Sequence, residues 1–419
     1  MQAVKEVQLS FAPRPGRRAA LLAAAALLPA GPALAQQHRQ PARPAPVPRQ
    51  PPAPVGPPAN TLLGPLDSPA RQAILVDFDT DTVLLEKNAD ERMAPSSMSK
   101  LMTLYLLFSR LKQGQVRLDQ PFTVSDRANR MGGSRMFLQA GTTVTVENLI
   151  RGVIVHSGND ACVVLAEGLA GSEQQFAEAL NQAGQRLGLT SSNFRNATGW
   201  PDPEHRMTCR DLARLIKRLI VDFPEYYHYF GERSFTWNNI TQENRNLLLG
   251  KVPGSDGLKT GHTDEAGFGL TASAKRGERR LILVVNGLVS MKARLEEPER
   301  LMEWGFREFE NIVLFRTAEV VEEVPVWLGT RPSVPLIFGG REGRDLMVTM
   351  PRSWRRNLVA RVRYETPIPA PVLKGQELGR LEISGAGVPP MSLPLLAGAD
   401  VERMGLLPRI PKVLGRWLG

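Results

Sequence analysis

The run Ala94-Pro95-Ser96-Ser97-Met98-Ser99-Lys100-Leu101-Met102-Thr103 carries a turn straight into an apolar helix. Pro95 and Ser96 read as the helix entrance, a proline followed by a capping hydroxyl. Beyond them Met98, Leu101, Met102, Tyr105, Leu106 and Phe108 recur at helical spacing, which predicts a helix buried in a core. A buried helix has no ordinary use for a lysine in its first turn. Lys100 stands three residues after Ser97, so both side chains share one face. Burial and a neighbouring cation both lower a lysine pKa, which makes Lys100 a candidate base for a Ser97 nucleophile. The spacing alone is not specific. Ser109-Arg110-Leu111-Lys112 repeats it at the polar far end of the same helix, where it reads as a solvated face.

Upstream, Ala73–Asp77 and Val83–Lys87 are short strand-like runs around a polar turn and predict a β-hairpin. Residues 36–67 are rich in proline, glutamine and arginine and read as an extended linker. Before them, Arg14, Arg17 and Arg18 precede the apolar run Ala19–Leu28, and Ala33-Leu34-Ala35 matches a small-residue cleavage site. That run is short for a membrane span, so residues 1–35 are read as a signal peptide outside the fold.

Downstream, Val146–Val155 predicts a second apolar helix that stops at His156-Ser157-Gly158-Asn159, with another helix starting at Asp160. The Ser157-Gly158-Asn159 turn is composed of ordinary turn formers and has by itself a plain structural explanation. Phe176–Leu187 and Thr208–Ile220 also look helical. From Leu258 the pattern turns to strands: Leu258–Thr263, Phe268–Ala274 and Arg280–Leu288, with Leu301–Phe309 as a helix lying on them. The first of these strands carries Lys259-Thr260-Gly261-His262. Gly261 inside a strand marks close approach by a ligand or another backbone.

A chain of 419 residues with 42% hydrophobic content allows two domains with real cores. The formal charge is +10, and loss of residues 1–35 removes four cations and one anion, leaving +7. That balance suits an anionic envelope surface. No nucleic-acid-binding motif accompanies it, so nucleic acid is not expected as a partner. Cys162 and Cys209 have no metal-type spacing and can be a disulfide or buried thiols. The five histidines form no ligand pair. Neither a metal nor a cofactor is expected.

Ser97-x-x-Lys100, Ser157-x-Asn159 and Lys259-Thr260-Gly261 occur in that order, the motif set of class A β-lactamases and penicillin-binding proteins. The chain most resembles the low-molecular-mass penicillin-binding proteins that act as serine-type D-alanyl-D-alanine carboxypeptidases. Asn196-Ala197-Thr198-Gly199-Trp200-Pro201-Asp202-Pro203, Asp256–Asp264 and Glu303-Trp304-Gly305-Phe306 carry further likeness, which runs from about residue 68 to the C-terminus. The resemblance implies an α/β (α+β) transpeptidase-like domain over 68–311, with an antiparallel sheet and a helical subdomain. It also implies a small all-β domain over 312–403. In chemistry it implies Ser97 as nucleophile, Lys100 as base and Ser157 as proton relay. Asn159 would hold Lys100 and the substrate amide, and Lys259 would keep Lys100 neutral. Thr260, with Arg245 and Arg294, would hold the substrate carboxylate. Gly261 and His262 would line the substrate, with the Ser97 and His262 N–H groups as oxyanion hole. Substrates would be peptidoglycan stem peptides, and β-lactam antibiotics would acylate the same serine. Ser-Gly-Asn fits carboxypeptidases better than class A β-lactamases, and Glu178-Ala179-Leu180-Asn181 is one residue short of a deacylating-glutamate motif. A DD-endopeptidase or β-lactamase using the same site, or an idle cell-wall-binding scaffold, are the alternative readings.

From about Ile312 the composition shifts to valine, proline and arginine. Val320–Leu328, Asp345–Met350, Leu358–Tyr364 and Glu377–Ile383 read as strands without a catalytic cluster. In the last segment, 404–419, Ile410, Val413, Leu414, Trp417 and Leu418 share a helical face flanked by Arg409, Lys412 and Arg416. A basic amphipathic end of this kind suits peripheral attachment to an anionic membrane surface. In a Gram-negative cell this means the periplasmic face of the inner membrane.

Overall fold

The computed structural model describes residues 2–7, 56–339, 345–385 and 388–410. Its frame is one antiparallel sheet of six strands. They are β1 (Asn60–Thr61), β2 (Gln72–Asp77), β3 (Val83–Lys87), β4 (Ser255–Thr263), β5 (Gly267–Arg276) and β6 (Arg279–Leu288). The spatial order is β1-β3-β2-β6-β5-β4, which leaves β4 on an edge.

Side chains alternate across a strand, and in β6 they meet two different cores. Ile282 and Val284 pack with the helices on one face, while Leu281, Leu283 and Val285 pack on the other. Both faces are covered, so β6 reads as an unbroken apolar run rather than an alternating one.

On the first face lie α1 (Lys100–Lys112), α2 (Val146–Arg151), α3 (Asn159–Ala170), α4 (Glu173–Arg186) and α5 (Cys209–Asp222). The apolar stripe of α1 (Leu101, Met102, Leu104, Leu107, Phe108, Leu111) is buried at the centre of this core. Cys162 and Cys209 sit in it as free, buried thiols. On the other face α6 (Met291–Glu308) buries Leu301, Met302 and Trp304 against β5 and β6, starting ten residues before the expected Leu301.

Three expectations need correction. Ser96 does not cap α1: its hydroxyl donates to the Pro95 carbonyl (2.7 Å), and the chain enters α1 through a 3₁₀ turn, Ser96–Ser99. The linker ends earlier than residue 67. Asn60–Thr61 pairs with β3, and Ala59 is buried and bridged to Leu66, backbone pairings that a proline-rich composition masks. The first residues, read as lying outside the fold, include a strand, Gln2–Val7. It pairs with Val359–Glu365, since an open sheet edge accepts any short β-prone run. The remainder of 1–55 lies outside the described residues, as do positions 411–419 of the amphipathic end.

The C-terminal region is an all-β unit with its own core, including Val324, Val334, Leu336, Val362, Leu381 and Leu395. The four strands read from sequence are present as Val320–Trp327, Leu346–Pro351, Val359–Glu365 and Glu377–Gly385. Ser333–Phe338 and Val388–Ala397 are added to them, and Phe309–Phe315 is a strand too, although Phe309 was expected to end a helix.

Candidate active site

The site is built where the start of α1 meets the edge strand β4. Ser97 lies in the 3₁₀ turn and Lys100 opens α1, so a three-residue step brings the two side chains to 2.8 Å (Nζ to Oγ). Lys100 is fully buried and its Nζ also lies 2.8 Å from Asn159 Oδ1 and 2.6 Å from the Thr198 carbonyl. Both of these oxygens only accept. A neutral amine has two N–H bonds and one lone pair, so the two acceptors take the N–H groups and leave the lone pair facing the Ser97 hydroxyl. Burial is the main cause that pushes the Lys100 pKa down, to about 8, and the Arg245 cation adds to it.

Helix α2 runs into a wide turn, Gly152–His156, that ends on Ser157 in a left-handed conformation (φ 58°). This break faces Ser157 toward β4 and Asn159 toward Lys100 rather than leaving them inside a continuous helix. Lys259 Nζ donates to Ser157 Oγ at 2.9 Å. Lys259 is itself buried, and burial first, then Lys100 and Arg245, holds its pKa well below the ordinary lysine range. Two buried ammonium groups repel each other, which shifts both amines toward the neutral form relative to a free lysine.

Gly261 meets the nucleophile turn rather than open space. A Cβ there would run into the Ser96 hydroxyl and lie 3.1 Å from the Pro95 carbonyl. Next to it Thr260, Arg245 and Arg294 line a tight cavity of about 10 Å³ with Leu247 and Met291. Burial lowers the pKa of both guanidiniums, each a cation held partly out of water. Arg245 contacts the Ser134 hydroxyl, and Arg294 donates to the Gly261 carbonyl at 3.4 Å. His262, at the far end of β4, is exposed with its ring against Phe268 (4.0 Å between centroids).

Several residues that hold this arrangement have no role assigned from sequence. Asn196 Oδ1 accepts from the backbone N–H groups of Thr198, Gly199 and Trp200, and so presents the Thr198 carbonyl to Lys100. Asp160 accepts from the N–H groups of Met136 and Leu138, fastening the segment whose Gly132 carbonyl takes the Asn159 amide at 2.8 Å. His205 lies 2.7 Å from Ser99 and accepts from the Arg195 N–H through Nδ1, so Nε2 donates to the serine. Burial pushes the His205 pKa down to about 4, and it stays neutral. The second Ser-x-x-Lys pair is elsewhere: Ser109 accepts from Gln113, and Lys112 donates to the Asp222 carbonyl. Asn181 of the short glutamate motif ties α4 to Phe194 and takes no part in the site.

A family model described as D-alanyl-D-alanine carboxypeptidase matches residues 59–289, the whole of this site except Arg294. The chain belongs to this family. A second model, described as penicillin-binding protein 5, C-terminal domain, matches residues 309–403. Among curated relatives of this carboxypeptidase, DacC of Escherichia coli is 39% identical over 349 residues, 81% of this chain and 86% of the relative. DacF of Bacillus subtilis is 33% identical, covering 83% and 90%. Both are described as D-alanyl-D-alanine carboxypeptidases. Among solved structures, penicillin-binding protein 5 from Haemophilus influenzae is similar with a TM-score of 0.70 at 36% identity, over 81% of this chain and 99% of that one. Penicillin-binding protein D2 from Listeria monocytogenes, solved in an ampicillin-bound form, has a TM-score of 0.53 at 30% identity, over 57% and 97%. The fold expected from the motifs, a penicillin-binding catalytic domain followed by a β-domain, is the observed one, and the family activity is D-alanyl-D-alanine carboxypeptidase.

Proposed function

We propose that this carboxypeptidase trims the terminal D-alanine of peptidoglycan stem peptides through an acyl-enzyme on Ser97. The fully buried Lys100 Nζ, 2.8 Å from Ser97 Oγ and held by Asn159 Oδ1 and the Thr198 carbonyl, is the observation that carries this reading. Lys100 takes the hydroxyl proton as Ser97 Oγ bonds to the carbonyl carbon of the penultimate D-alanine. The Ser97 and His262 N–H groups stabilise the oxyanion. Ser157, hydrogen-bonded to Lys259, passes a proton to the departing D-alanine amine. Thr260, Arg245 and Arg294 hold the carboxylate, and Gly261 keeps β4 close enough for substrate to lie between it and the nucleophile. Water then hydrolyses the ester and restores the serine. β-Lactams acylate the same hydroxyl, which is supported by the ampicillin-bound relative.

The place of action is the periplasm, supported by the basic, apolar start of the chain and the cell-wall chemistry of the family. Removal of residues 1–35 takes the Gln2–Val7 strand away and leaves Val359–Glu365 as the sheet edge. Peripheral membrane attachment through 404–419 is supported by Leu406, Leu407 and Ile410, which are 79%, 81% and 54% exposed. No helix among the described residues is long and apolar enough to cross a membrane.

D-Alanine release from a peptide ending in Lys-D-Ala-D-Ala tests the reaction and the nucleophile together. The wild type releases D-alanine, and Ser97→Ala loses at least about 10³-fold in rate. Release by both proteins at one rate moves the nucleophile elsewhere, and release by neither favours cleavage of a different bond.

A further inference from the structure

Beside the catalytic cleft runs a second depression, which the carboxypeptidase chemistry does not use. Two open cavities, of about 260 and 370 Å³, share Arg92 and Arg206 and so form one groove. Its backbone floor is knitted by two bridges, Met93 with Met207 and Asn193 with Arg206. Arg206 pairs with Glu265 at 2.7 Å, and Arg71 donates to the Glu265 carbonyl. Arg92 is exposed and, among the described residues, has neither a hydrogen-bond nor an ion partner. At the bottom Asn286 is only 2% exposed. Its amide nitrogen donates to Gln72, and its Oδ1 has no partner. The groove therefore offers a ligand's negative group an exposed, unpaired guanidinium at Arg92, with Arg206 next to it.

The groove has a definite position relative to the chemistry. Ala94 lines it, and three peptide steps of 3.8 Å place Ser97 within about 11 Å. The turn after β4 lines it as well, through Glu265 and Ala266. With the substrate carboxylate at Thr260 and the scissile carbonyl at Ser97, the rest of the peptide leaves toward His262 and that turn. Three extended residues span about 10 Å, enough to reach the groove.

We propose that this groove binds the carboxylate-bearing part of the peptidoglycan strand upstream of the D-Ala-D-Ala end, with Arg92 as its principal cation. The groove is thus a polymer subsite that separates true wall strands from short peptides. It rests on the assignment of Ser97 and of the carboxylate end made above.

The test measures D-alanine release from acetylated Lys-D-Ala-D-Ala and from uncrosslinked peptidoglycan strands bearing pentapeptides. In Arg92→Glu the KM for strands rises about five- to tenfold with kcat little changed, the scale of one lost charge-assisted contact turned repulsive. The same variant keeps kcat/KM on the tripeptide within about twofold, which also shows that it folds. Arg206→Gln gives a smaller change of the same kind, since Glu265 already occupies part of its charge. An unchanged KM for strands, or an equal loss on both substrates, overturns the groove while leaving the site intact. D-Alanine release by Ser97→Ala breaks the site itself, and the groove falls with it.

Discussion

Helix α1 carries the same four-residue pattern at both ends, and the two copies have opposite fates. At its start Ser97 and Lys100 meet where the amine is fully buried and three oxygens surround it. At its end Ser109 and Lys112 do not bond to each other, and Lys112 reaches water and Glu225. Spacing brings two side chains to one helix face in both cases. What differs is the neighbourhood: Asn159 from α3, the Thr198 carbonyl from a loop and Lys259 from β4 close over the first pair only. A catalytic motif is therefore a spacing plus the elements that desolvate it.

The largest test of this contrast removes the amine at each end. Lys100→Gln keeps a polar chain of similar length but has no basic nitrogen, and acylation should slow by about 10²–10⁴-fold. Lys112→Gln loses a surface ion pair and the hydrogen bond to the Asp222 carbonyl, and should leave the rate unchanged with at most about 1 kcal/mol lost in stability. Penicillin acylation followed by mass spectrometry reads both. Comparable losses at the two ends would mean that α1 as a whole, and not its buried end, sets the rate.

A smaller effect is expected from the loop that supplies the Thr198 carbonyl. Gly199 has φ +76°, and a Cβ there would strike the Ser96 carbonyl oxygen. Gly199→Ala must push the nucleophile turn and the loop apart, and a displacement near 1 Å costs on the order of 10²-fold in rate. The variant keeps Ser97 and Lys100, so acylation that stays at the wild-type rate would show that the loop is not a positioning device.

This loop also marks where sequence stops being informative. The three motifs were legible because each needs particular side chains in order, and periodicity placed α1 to α5 and the β4–β6 strands within a few residues. A backbone carbonyl has no letter of its own, so the Thr198 oxygen, 98 positions from Lys100, was invisible as a ligand. The Ser99–His205 contact was hidden for the same reason of distance along the chain. In the β-domain, Pro335, Pro389, Pro390 and Pro394 interrupt Ser333–Phe338 and Val388–Ala397, and proline argues against a strand. These strands form anyway because pairing continues through the prolines, Pro335 opposite Glu323 and Pro394 opposite Arg380. Their remaining backbone groups do not require every N–H.

The mildest probe leaves every atom in place and changes only pH. Burial puts Lys100 at about 8 instead of its ordinary 10.5. Below pH 8 the ammonium form has no lone pair for the Ser97 proton, so kcat/KM should fall about tenfold per pH unit and level off above 8. Stability carries the same proton. Between pH 8 and 10.5 the unfolded chain holds it and the folded chain does not, so unfolding becomes harder as pH rises across that window. Arg245 lowers the Lys100 pKa, and Arg245→Gln should move the rate limb to higher pH besides weakening carboxylate binding. A limb that stays fixed in Arg245→Gln would leave burial alone as the cause. A limb absent between pH 6 and about 9 would deny Lys100 the role of base, and with it the difference between the two ends of α1.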